Sequence, residues 1–391
     1  MKNNTLNASE MKSLNQKKIL NILHSNPCSR ADLARLTGLS RAAITIITDK
    51  LAEMQYVIEG EPILGKVGRK SFVLKLNPDI YHIIGINISR KTYSLGIFDF
   101  CGNLLFHTDE NLCQTPQKTL EQIADTLSHV LAESSFSGDL LGIGITAPGP
   151  LDVENGRILN PPNFGLWAFI NIADYFNEIF HCPVVLENNS NALALAEKAF
   201  GAGKHLSSFV ELNIDSGIGS GVILNEKLYQ GSSGFGNDFG HMSINYSGEP
   251  CHCGNIGCAE LYASIPNILK FASISGCSYN SWKEIVDDAY LNEPRAAAVF
   301  EKEAGFLSLV ITNIVNILDV DTIIITGDVA YRSELLLKQL RILVNQRILA
   351  RVIKQVSIES TGITEHAEII SSANLMFEYF IEHVSCMESL I

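Results

Sequence analysis

Two stretches of this 391-residue chain have the same order of strands and turns: residues 83–106, IIGINISRKTYSLGIFDFCGNLLF, and residues 209–230, FVELNIDSGIGSGVILNEKLYQ. In each, an apolar strand leads to a turn that carries Asn or Asp, and a Gly-Asn or Asn-Glu turn precedes a third strand. Helical segments follow both stretches. We therefore predict duplicated βββαβα units, and an α/β fold of two related lobes with a cleft between them.

Polar side chains follow apolar strands in the segment between the repeats. Residues 140–150 (LLGIGITAPGP) run from a buried strand into a Gly/Pro turn, and residues 182–187 are a second buried strand that ends at Asn188-Asn189-Ser190-Asn191. Folds of the α/β class place ligand contacts at such strand ends, just before a helix. Asparagine is also a residue that caps helices and forms turns. The pattern is equally compatible with a ligand site and with a structural role.

Three of the nine cysteines fall within eight residues of a Gly-rich loop. They are Cys251, Cys253 and Cys258, with His241 ten residues before the first of them. One imidazole and three thiolates form a ligand set that zinc takes. His252 is a competing ligand, but side-chain alternation in Cys-x-Cys directs it away from the metal. Because Gly, Asn and Pro surround these thiols, whereas the other cysteines suit small buried side chains, we predict a structural zinc ion.

The first 78 residues predict a winged helix-turn-helix. Residues 15–23 have one apolar side, as an amphipathic helix does. Ser29 starts a second helix as part of a capping box, Gly38 ends it in a tight turn, and Ser40 caps a third helix through Leu51. The expected core residues are Leu33, Leu36, Leu39, Ile44, Ile47 and Leu51. Two strands follow, and the loop between them is rich in glycine and cations, as in a wing.

The outward side of the third helix suits the major groove of DNA. Its exposed residues are expected to be Ser40, Arg41, Ala42 and Thr45, with Ile46 and Thr48 beside them. Arginine can reach guanine, Ser and Thr can reach phosphates, and Ala can touch a thymine methyl group. The wing cations that would meet phosphate or a narrow minor groove are Lys66, Arg69 and Lys70. We predict binding to a double-stranded DNA operator; the alternative is a helical interaction domain that binds no DNA.

The charge distribution favours the DNA-binding interpretation. Residues 1–80 contain 12 Lys and Arg against 7 Asp and Glu, a formal charge of +5, whereas the remainder carries −18. A basic head on an acidic body concentrates attraction to nucleic acid on one face. No stretch has the apolar length of a membrane span, and the polar start MKNNTLNASEMK is not a signal peptide. We therefore expect a soluble, cytoplasmic protein without membrane contact.

These motifs resemble those of the ROK family, whose members are bacterial repressors and sugar kinases of the actin/hexokinase-like fold. The matching stretches are GIGITAPGPLD, NPPNFGLW, ENNSNALALAE, FGHM and CHCGNIGCAE, and the resemblance covers residues 79–391. The resemblance implies zinc ligands at His241, Cys251, Cys253 and Cys258. It implies sugar contacts from Asn163, Asn188, Asn189, Asp238, His241 and Glu260. With one ring nitrogen on zinc, His241 would link the metal to the pocket.

Departures from the family's kinase pattern imply that phosphoryl transfer has been lost. The kinases have an aspartate base at the position of Asn189, and an amide cannot accept the sugar proton at neutral pH. They hold ATP phosphate with an Asp-x-Gly-Gly-Thr turn, where this chain has NISRK at 87–91. A second phosphate turn survives in part at 216–221, and a Gly pair on the adenosine side is reduced to Gly327-Asp328. The family usually has Glu in place of Asp238, which leaves the identity of the sugar open.

The predicted organisation is a winged-helix head at 1–78, a first lobe at 79–195 plus 375–391, and a second lobe with the zinc loop at 196–374. The resemblance implies a regulator without enzymatic activity, a repressor of carbohydrate-utilisation genes that responds to a sugar or sugar phosphate. A homodimer or homotetramer is expected, because a helix-turn-helix generally reads paired half-sites. The alternatives are a bifunctional sugar kinase and a regulator controlled by a protein partner.

Overall fold

The computed structural model describes residues 8–63, 71–133 and 136–387. The N-terminal head consists of α1 (Ala8–Ser25), β1 (Cys28–Ser29), α2 (Arg30–Thr37), α3 (Arg41–Glu53), β2 (Val57–Ile63) and β3 (Ser71–Leu76). Its strands form an antiparallel sheet in the order β1-β3-β2. The loop between β2 and β3 lies outside the described residues, and so do the predicted wing residues Lys66, Arg69 and Lys70.

Polar side chains set the ends of α2 and α3 as predicted. Ser29 Oγ accepts a hydrogen bond from the amide of Asp32 (3.1 Å), and Ser40 Oγ accepts one from the amide of Ala43 (3.2 Å). Gly38 follows α2 with φ 76°, a left-handed conformation that favours glycine. The two helices and the turn between them form a helix-turn-helix, and β2 and β3 follow it.

Two of the predicted side-chain positions in the head are wrong. Leu36 is 54% exposed, because the short α2 buries only Leu33 and its contact stripe does not reach the last turn. Thr48 is buried rather than outward-facing. It lies four residues after Ile44, on the same side of the helix, and its hydroxyl accepts a hydrogen bond from Arg30 Nε (3.1 Å).

The first lobe is built on a five-stranded sheet. Its strands are β4 (Tyr81–Ile88), β5 (Thr92–Asp99), β6 (Leu104–Asn111), β7 (Asp139–Ala147) and, after the small hairpin of β8 (Leu151–Asp152) and β9 (Arg157–Ile158), β10 (Val184–Asn188). Their order is β10-β7-β4-β5-β6. Strand β5 pairs antiparallel with both β4 and β6. Strand β7 pairs parallel with β4, and β10 pairs parallel with β7. The helices are α4 (Pro116–Glu133), α5 (Ile172–Phe180) and α6 (Asn189–Ala199).

The second lobe repeats this topology. Its strands are β11 (Phe209–Ile214), β12 (Ile218–Leu224), β13 (Lys227–Leu228), β14 (Thr322–Thr326) and β15 (Ser357–Ser360), in the order β13-β12-β11-β14-β15. Its helices are α7 (Glu260–Ala263), α8 (Ile265–Ile274), α9 (Trp282–Tyr290), α10 (Pro294–Leu318), α11 (Glu334–Arg347) and α12 (Ala367–Met387). Matching strand orders confirm the predicted duplication. None of the helices among the described residues is long and apolar enough to cross a membrane.

Two helices are exchanged between the lobes. α6 leaves the first sheet and packs on β11 and β12 of the second, whereas α12 leaves the second sheet and packs on β4 and β7 of the first. Glycines permit the close approach. A Cβ on Gly144 would lie 1.8 Å from the carbonyl oxygen of Ser372 in α12, and one on Gly221 would lie 2.4 Å from that of Ser190 in α6. The exchanged helices also pack on each other.

The predicted lobe boundaries fall inside these exchanged helices. The boundary after residue 195 cuts α6, and the boundary before residue 375 cuts α12, whose first turns already contact β4 through Ile369. Strand and turn patterns locate the sheets, but they carry no information on which sheet a connecting helix packs against. Since each of these helices packs on the sheet of the other lobe, the two lobes interlock at α6 and α12.

The head packs against the first lobe, and their apolar cores are continuous. One cluster of buried side chains joins Leu20 of α1 to Phe100, Phe377 and Phe380 of the body. The ring of Tyr56, between α3 and β2, meets the ring of Phe380 edge-on with centroids 5.1 Å apart. Apolar contact of this kind fixes the orientation of the head relative to α12.

Candidate ligand cleft and metal centre

A cleft of about 440 Å³ opens between the two lobes. The first lobe lines it with the ends of β4 and β10, the 148–150 turn and the first turn of α6. The second lobe contributes the loop after β11, the short helical turn Phe239–His241 and the start of α7. The predicted sugar contacts that line the cleft are Asn188, Asn189, Asp238, His241 and Glu260. Strand ends and helix starts converge here, as in other α/β ligand sites.

The remaining predicted contact, Asn163, is exposed and is not among the residues that line the cleft. Its backbone has φ 59°, and the neighbouring Pro162 lines the cleft instead. A left-handed backbone is tolerated by asparagine and is common in turns. The NPPN motif alone does not distinguish a turn residue from a ligand contact.

Asn188 caps α6 and lines the cleft at the same time. Its Oδ1 accepts hydrogen bonds from the amides of Ser190 (2.9 Å) and Asn191 (3.4 Å). The preceding Glu187 accepts hydrogen bonds from the Asn188 amide (2.8 Å), from Asn191 Nδ2 (3.0 Å) and from Gln230 Nε2 of the second lobe (2.7 Å). Burial raises the pKa of Glu187. Sequence reasoning missed this bridge, because only the fold brings Gln230 next to β10.

Asn189 lies in the first turn of α6 and faces the turn between β4 and β5. Its Nδ2 donates to the carbonyl oxygen of Ile88 (3.4 Å), while its buried Oδ1 has no hydrogen-bond partner among the described residues. Arg90 of the adjacent turn also lines the cleft, and its buried Nε has no partner in the same part of the chain. Unpaired buried polar groups such as these call for a ligand or ordered water.

Two carboxylates face the cleft from the second lobe. Glu260 Oε2 accepts a hydrogen bond from the amide of Ile218 (3.1 Å), which holds this side chain at the loop after β11. Desolvation in the cleft raises the pKa of Asp238; the neighbouring His241 opposes this shift and Glu260 adds to it. Carboxylates held in a fixed geometry accept hydrogen bonds from the vicinal hydroxyls of a sugar.

A second group of carboxyls lies beside the 216–221 segment. Asp215 follows β11, and the Asp328 carboxyl is hydrogen-bonded to it. Desolvation, then Asp328 and to a smaller extent Glu368, raise the pKa of Asp215 to about 6. Sequence reasoning did not select Asp215, although it directly follows a core strand, as Asn189 does. A pair of carboxyl groups thus lies beside the partial phosphate turn.

His241, Cys251, Cys253 and Cys258 form a compact cluster beside the cleft, with ligand atoms within 4.8 Å of one another. Cys253 Sγ lies 3.6 Å from Cys258 Sγ, and Cys251 Sγ lies 3.7 Å from His241 Nδ1. A tetrahedral zinc ion with zinc–sulfur bonds of about 2.3 Å separates neighbouring sulfur ligands by roughly 3.8 Å. The donor set and its spacing therefore fit a tetrahedral metal. His252 is exposed and lies outside the cluster.

The outward residues of α3 are exposed as predicted: Ser40, Arg41, Ala42 and Thr45. The Ser40 hydroxyl serves as the N-cap of α3, and Thr45 Oγ1 donates to the Arg41 carbonyl oxygen (3.0 Å). The start of this helix therefore presents a cation and short polar side chains to solvent, an arrangement compatible with a DNA groove.

The sequence profile of the ROK family matches residues 83–378. The chain belongs to the ROK family. A xylose repressor of Bacillus spizizenii is 31% identical to this ROK protein over 377 residues, which cover 96% of this chain and 97% of the repressor. A solved ROK family transcriptional regulator, described as a homologue of the E. coli MLC protein, superposes with a TM-score of 0.81 at 22% identity and covers 96% of this chain and 98% of its own.

A kinase of the same family matches a shorter part of the chain. The ROK family glucokinase from Streptomyces griseus, solved with glucose and AMPPNP, has a TM-score of 0.65 and 25% identity. It covers 76% of this ROK protein but 99% of the glucokinase chain. The two-lobed actin/hexokinase-like body is therefore common to both kinds of relative, whereas the regulators also match the head.

Proposed function

We propose that this ROK protein is a sugar-responsive transcriptional repressor of carbohydrate-utilisation genes. The observation that carries the proposal is the union, in one chain, of a helix-turn-helix head with a cleft lined by Asn188, Asp238 and Glu260. Similarity to a xylose repressor over nearly the whole chain supports it. The proposed operator contacts are Ser40, Arg41, Ala42 and Thr45 of α3 and Lys66, Arg69 and Lys70 of the wing.

The body is proposed to be a sensor without kinase activity. Asn189 stands where the family's kinases have their base, and its amide cannot take a proton from a sugar hydroxyl. The turn at Arg90 has no glycine with which to cradle phosphate. These two features oppose ATP binding and transfer.

The charge of the cleft favours a neutral sugar over a sugar phosphate. Among the described residues, the carboxylates that line the cleft are Asp109, Glu187, Asp215, Asp238, Glu260 and Glu368. Arg90 and His241 are the basic side chains in the same lining. An excess of carboxylates repels a dianionic phosphate but hydrogen-bonds readily to neutral hydroxyls. Arg90 then serves as a donor to a ring or hydroxyl oxygen of the sugar.

A structural zinc ion is proposed at His241, Cys251, Cys253 and Cys258. In that position it would hold the 241–258 loop in one conformation and fix the ring of His241, which also lines the cleft. Glu260 follows the last zinc ligand by two residues. Loss of the metal would therefore be expected to disturb the sugar pocket. The zinc ion would have a structural role and no catalytic one.

Helix α6 offers a direct route from the cleft to the head. Its first turn carries Asn189 at the cleft, and its last residue, Ala199, accepts a hydrogen bond from Ser25 Oγ at the end of α1 (3.1 Å). Beyond α6, Lys204 Nζ donates to the Ser25 carbonyl oxygen (3.4 Å). Closure of the lobes on a sugar would move α6 and, with it, α1. A coupling free energy of about 1–3 kcal/mol is typical of such linkage.

A homodimer or homotetramer is proposed, since paired half-sites need paired heads. The segment after α11 supports self-association, because Leu349, Val352 and Ile353 are 83%, 88% and 89% exposed within five residues. Exposed apolar patches commonly mark protein interfaces. Sedimentation of the full chain tests this, and a monomer at micromolar concentration would contradict it.

Titration calorimetry with matched ligands tests the sensor. Xylose, glucose and N-acetylglucosamine should be compared with glucose 6-phosphate and N-acetylglucosamine 6-phosphate. At least one neutral sugar is expected to bind at least about tenfold more tightly than either phosphate, a difference of about 1.4 kcal/mol. Tighter binding of a phosphate would refute the charge argument, and absence of any sugar binding would favour control by a protein partner.

A further inference from the structure

A second cavity, of about 380 Å³, lies where the head meets the body. It is lined by His24 of α1, by Phe98 of β5, by Phe200 just beyond α6, and by Asn374 and Phe377 of α12. The segment 362–365, between β15 and α12, completes the lining. The head and both lobes thus contribute to it, and none of the described residues lines both this cavity and the sugar cleft.

Two polar side chains in this cavity are buried without partners. Asn374 is 3% exposed, and neither its Oδ1 nor its Nδ2 has a hydrogen-bond partner among the described residues. His24 Nδ1 is likewise buried and unpaired within that part of the chain. Proteins rarely leave such groups unsatisfied, because each has lost its hydrogen bonds to water without gaining others. Donor and acceptor capacity is therefore available inside the cavity.

The other surroundings are mainly aromatic, and two carboxylates, Asp99 and the exposed Glu365, complete the lining. The His24 ring stacks on Phe377 with centroids 3.5 Å apart and meets Phe200 edge-on at 4.8 Å. Burial lowers the pKa of His24 to about 3, so its imidazole is uncharged at neutral pH. The carboxylate of Asp99 is engaged by the amide of Cys101 (2.8 Å) and by the following turn. No side-chain cation of the described residues lines this cavity, so it offers nothing to pair with an anion.

We propose that this junction cavity is a second small-molecule site, and that it takes a neutral aromatic or heteroaromatic molecule with an amide-like donor and acceptor. The carboxamide of Asn374 matches such a donor–acceptor pair, and Phe98 and Phe200 can contact the ring. The volume is that of small-molecule pockets, which are typically about 300–1,000 Å³ with an apolar lining and few polar groups. A single water occupies only about 30 Å³.

Benzamide is the probe, titrated calorimetrically into the full chain. Wild type is expected to bind it saturably, and Asn374→Leu, which keeps the side-chain size but removes both unpaired atoms, is expected to bind it at least about tenfold more weakly. Benzoate, which has no donor and carries a negative charge, is expected to bind at least about tenfold more weakly than benzamide. Asn189→Leu, the same change in the sugar cleft, is expected to leave benzamide binding intact.

Thermal unfolding of the variant and a crystal of the wild type soaked in benzamide complete the test of this site. Asn374→Leu is expected to melt no lower than wild type, because it removes two unpaired buried groups. If that variant does not fold, His24→Phe keeps an aromatic ring against Phe377 but removes the unpaired Nδ1, and it should weaken benzamide binding measurably, although less than the loss of Asn374 would. Equal benzamide affinity in wild type and variant, no saturable binding in wild type, or ordered water alone in the cavity of a benzamide-soaked crystal would overturn the proposal.

Discussion

The hydroxyl of Ser25, in the last turn of α1, donates a hydrogen bond to the carbonyl oxygen of Ala199, the last residue of α6 (3.1 Å). The final carbonyls of a helix have no partner within the helix, so the N-terminal head supplies one for α6. The first turn of the same helix lines the cleft between the lobes. Head and cleft are therefore joined by one rigid element of 11 residues, about 16 Å in length at 1.5 Å per residue.

Removing this hydrogen bond should weaken communication rather than binding. Ser25→Ala is expected to bind sugar and operator separately within about twofold of wild type, while the sugar-induced change in operator affinity falls by roughly two- to tenfold, the range of one hydrogen bond. Anisotropy titrations with and without sugar measure both quantities. Ser273→Ala, an exposed serine of α8, is the control. An unchanged response in Ser25→Ala would show that coupling does not pass through this contact.

One zinc ion per chain is expected by elemental analysis. Cys253→Ser should lose the metal, lower the melting temperature and weaken sugar binding, since the zinc loop carries His241 and precedes Glu260. His252→Ala is the matched control, because His252 lies in the same loop but outside the cluster, and it should retain zinc. Metal-free wild-type protein of undiminished stability would contradict the zinc assignment.

Neither the wild type nor Asn189→Asp is expected to hydrolyse ATP in the presence of sugar. Restoring the base leaves the turn at Arg90 without a glycine to cradle phosphate. A coupled assay for ADP release with glucose and xylose measures this. Phosphorylation of either sugar by the wild type would support the bifunctional-kinase alternative instead.

The Asp215–Asp328 pair predicts a pH dependence of stability. The folded-state pKa of Asp215, about 6, lies above its ordinary value of 3.8, so the folded chain holds this proton more tightly than the unfolded chain. The contribution of this group to the free energy of unfolding is therefore fully present below pH 3.8 and is lost as the pH rises through about 6. Asp215→Asn should raise the melting temperature at pH 7, and the gain should vanish near pH 4.

Asp328→Asn provides the matched measurement, because it removes the neighbouring carboxyl and leaves Asp215 in place. The pKa of Asp215 should then move part of the way toward its ordinary value, because burial still raises it. The melting temperature of this variant should therefore also rise at pH 7, by less than that of Asp215→Asn. Equal melting temperatures of wild type and both variants from pH 4 to pH 7 would contradict the raised pKa of Asp215.

Local signals in the sequence were sufficient for the head and for the metal cluster. The caps at Ser29 and Ser40 and the glycine turn at Gly38 depend on residues within three or four positions of each other, and all three are present in the structure. The Cys-x-Cys spacing likewise brings its ligands together within one loop. Such features can be predicted from the sequence because the interacting residues are close along the chain.

Features that depend on contacts between distant segments were not predictable in this way. The helix exchange put the lobe boundaries at 195 and 374 inside α6 and α12, and no local pattern signals it. Arg90 and Asp215 reach the cleft from two separate turns, and Gln230 bonds to the cleft residue Glu187 from a third segment. Asn163 shows the converse, since a residue selected by motif is exposed as a turn residue. Cleft membership follows from tertiary packing, which a single sequence does not display.

Operator binding by three variants, with and without the sugar identified by calorimetry, tests the central claim most directly. Arg41→Ala should weaken operator binding by about 1–3 kcal/mol and leave sugar binding intact. Glu260→Ala should bind operator normally and lose the response to sugar, whereas Glu301→Ala, an exposed glutamate of α10 outside the cleft, should respond as wild type does. A normal sugar response in Glu260→Ala would contradict the account, and control by a protein partner would take the place of the cleft.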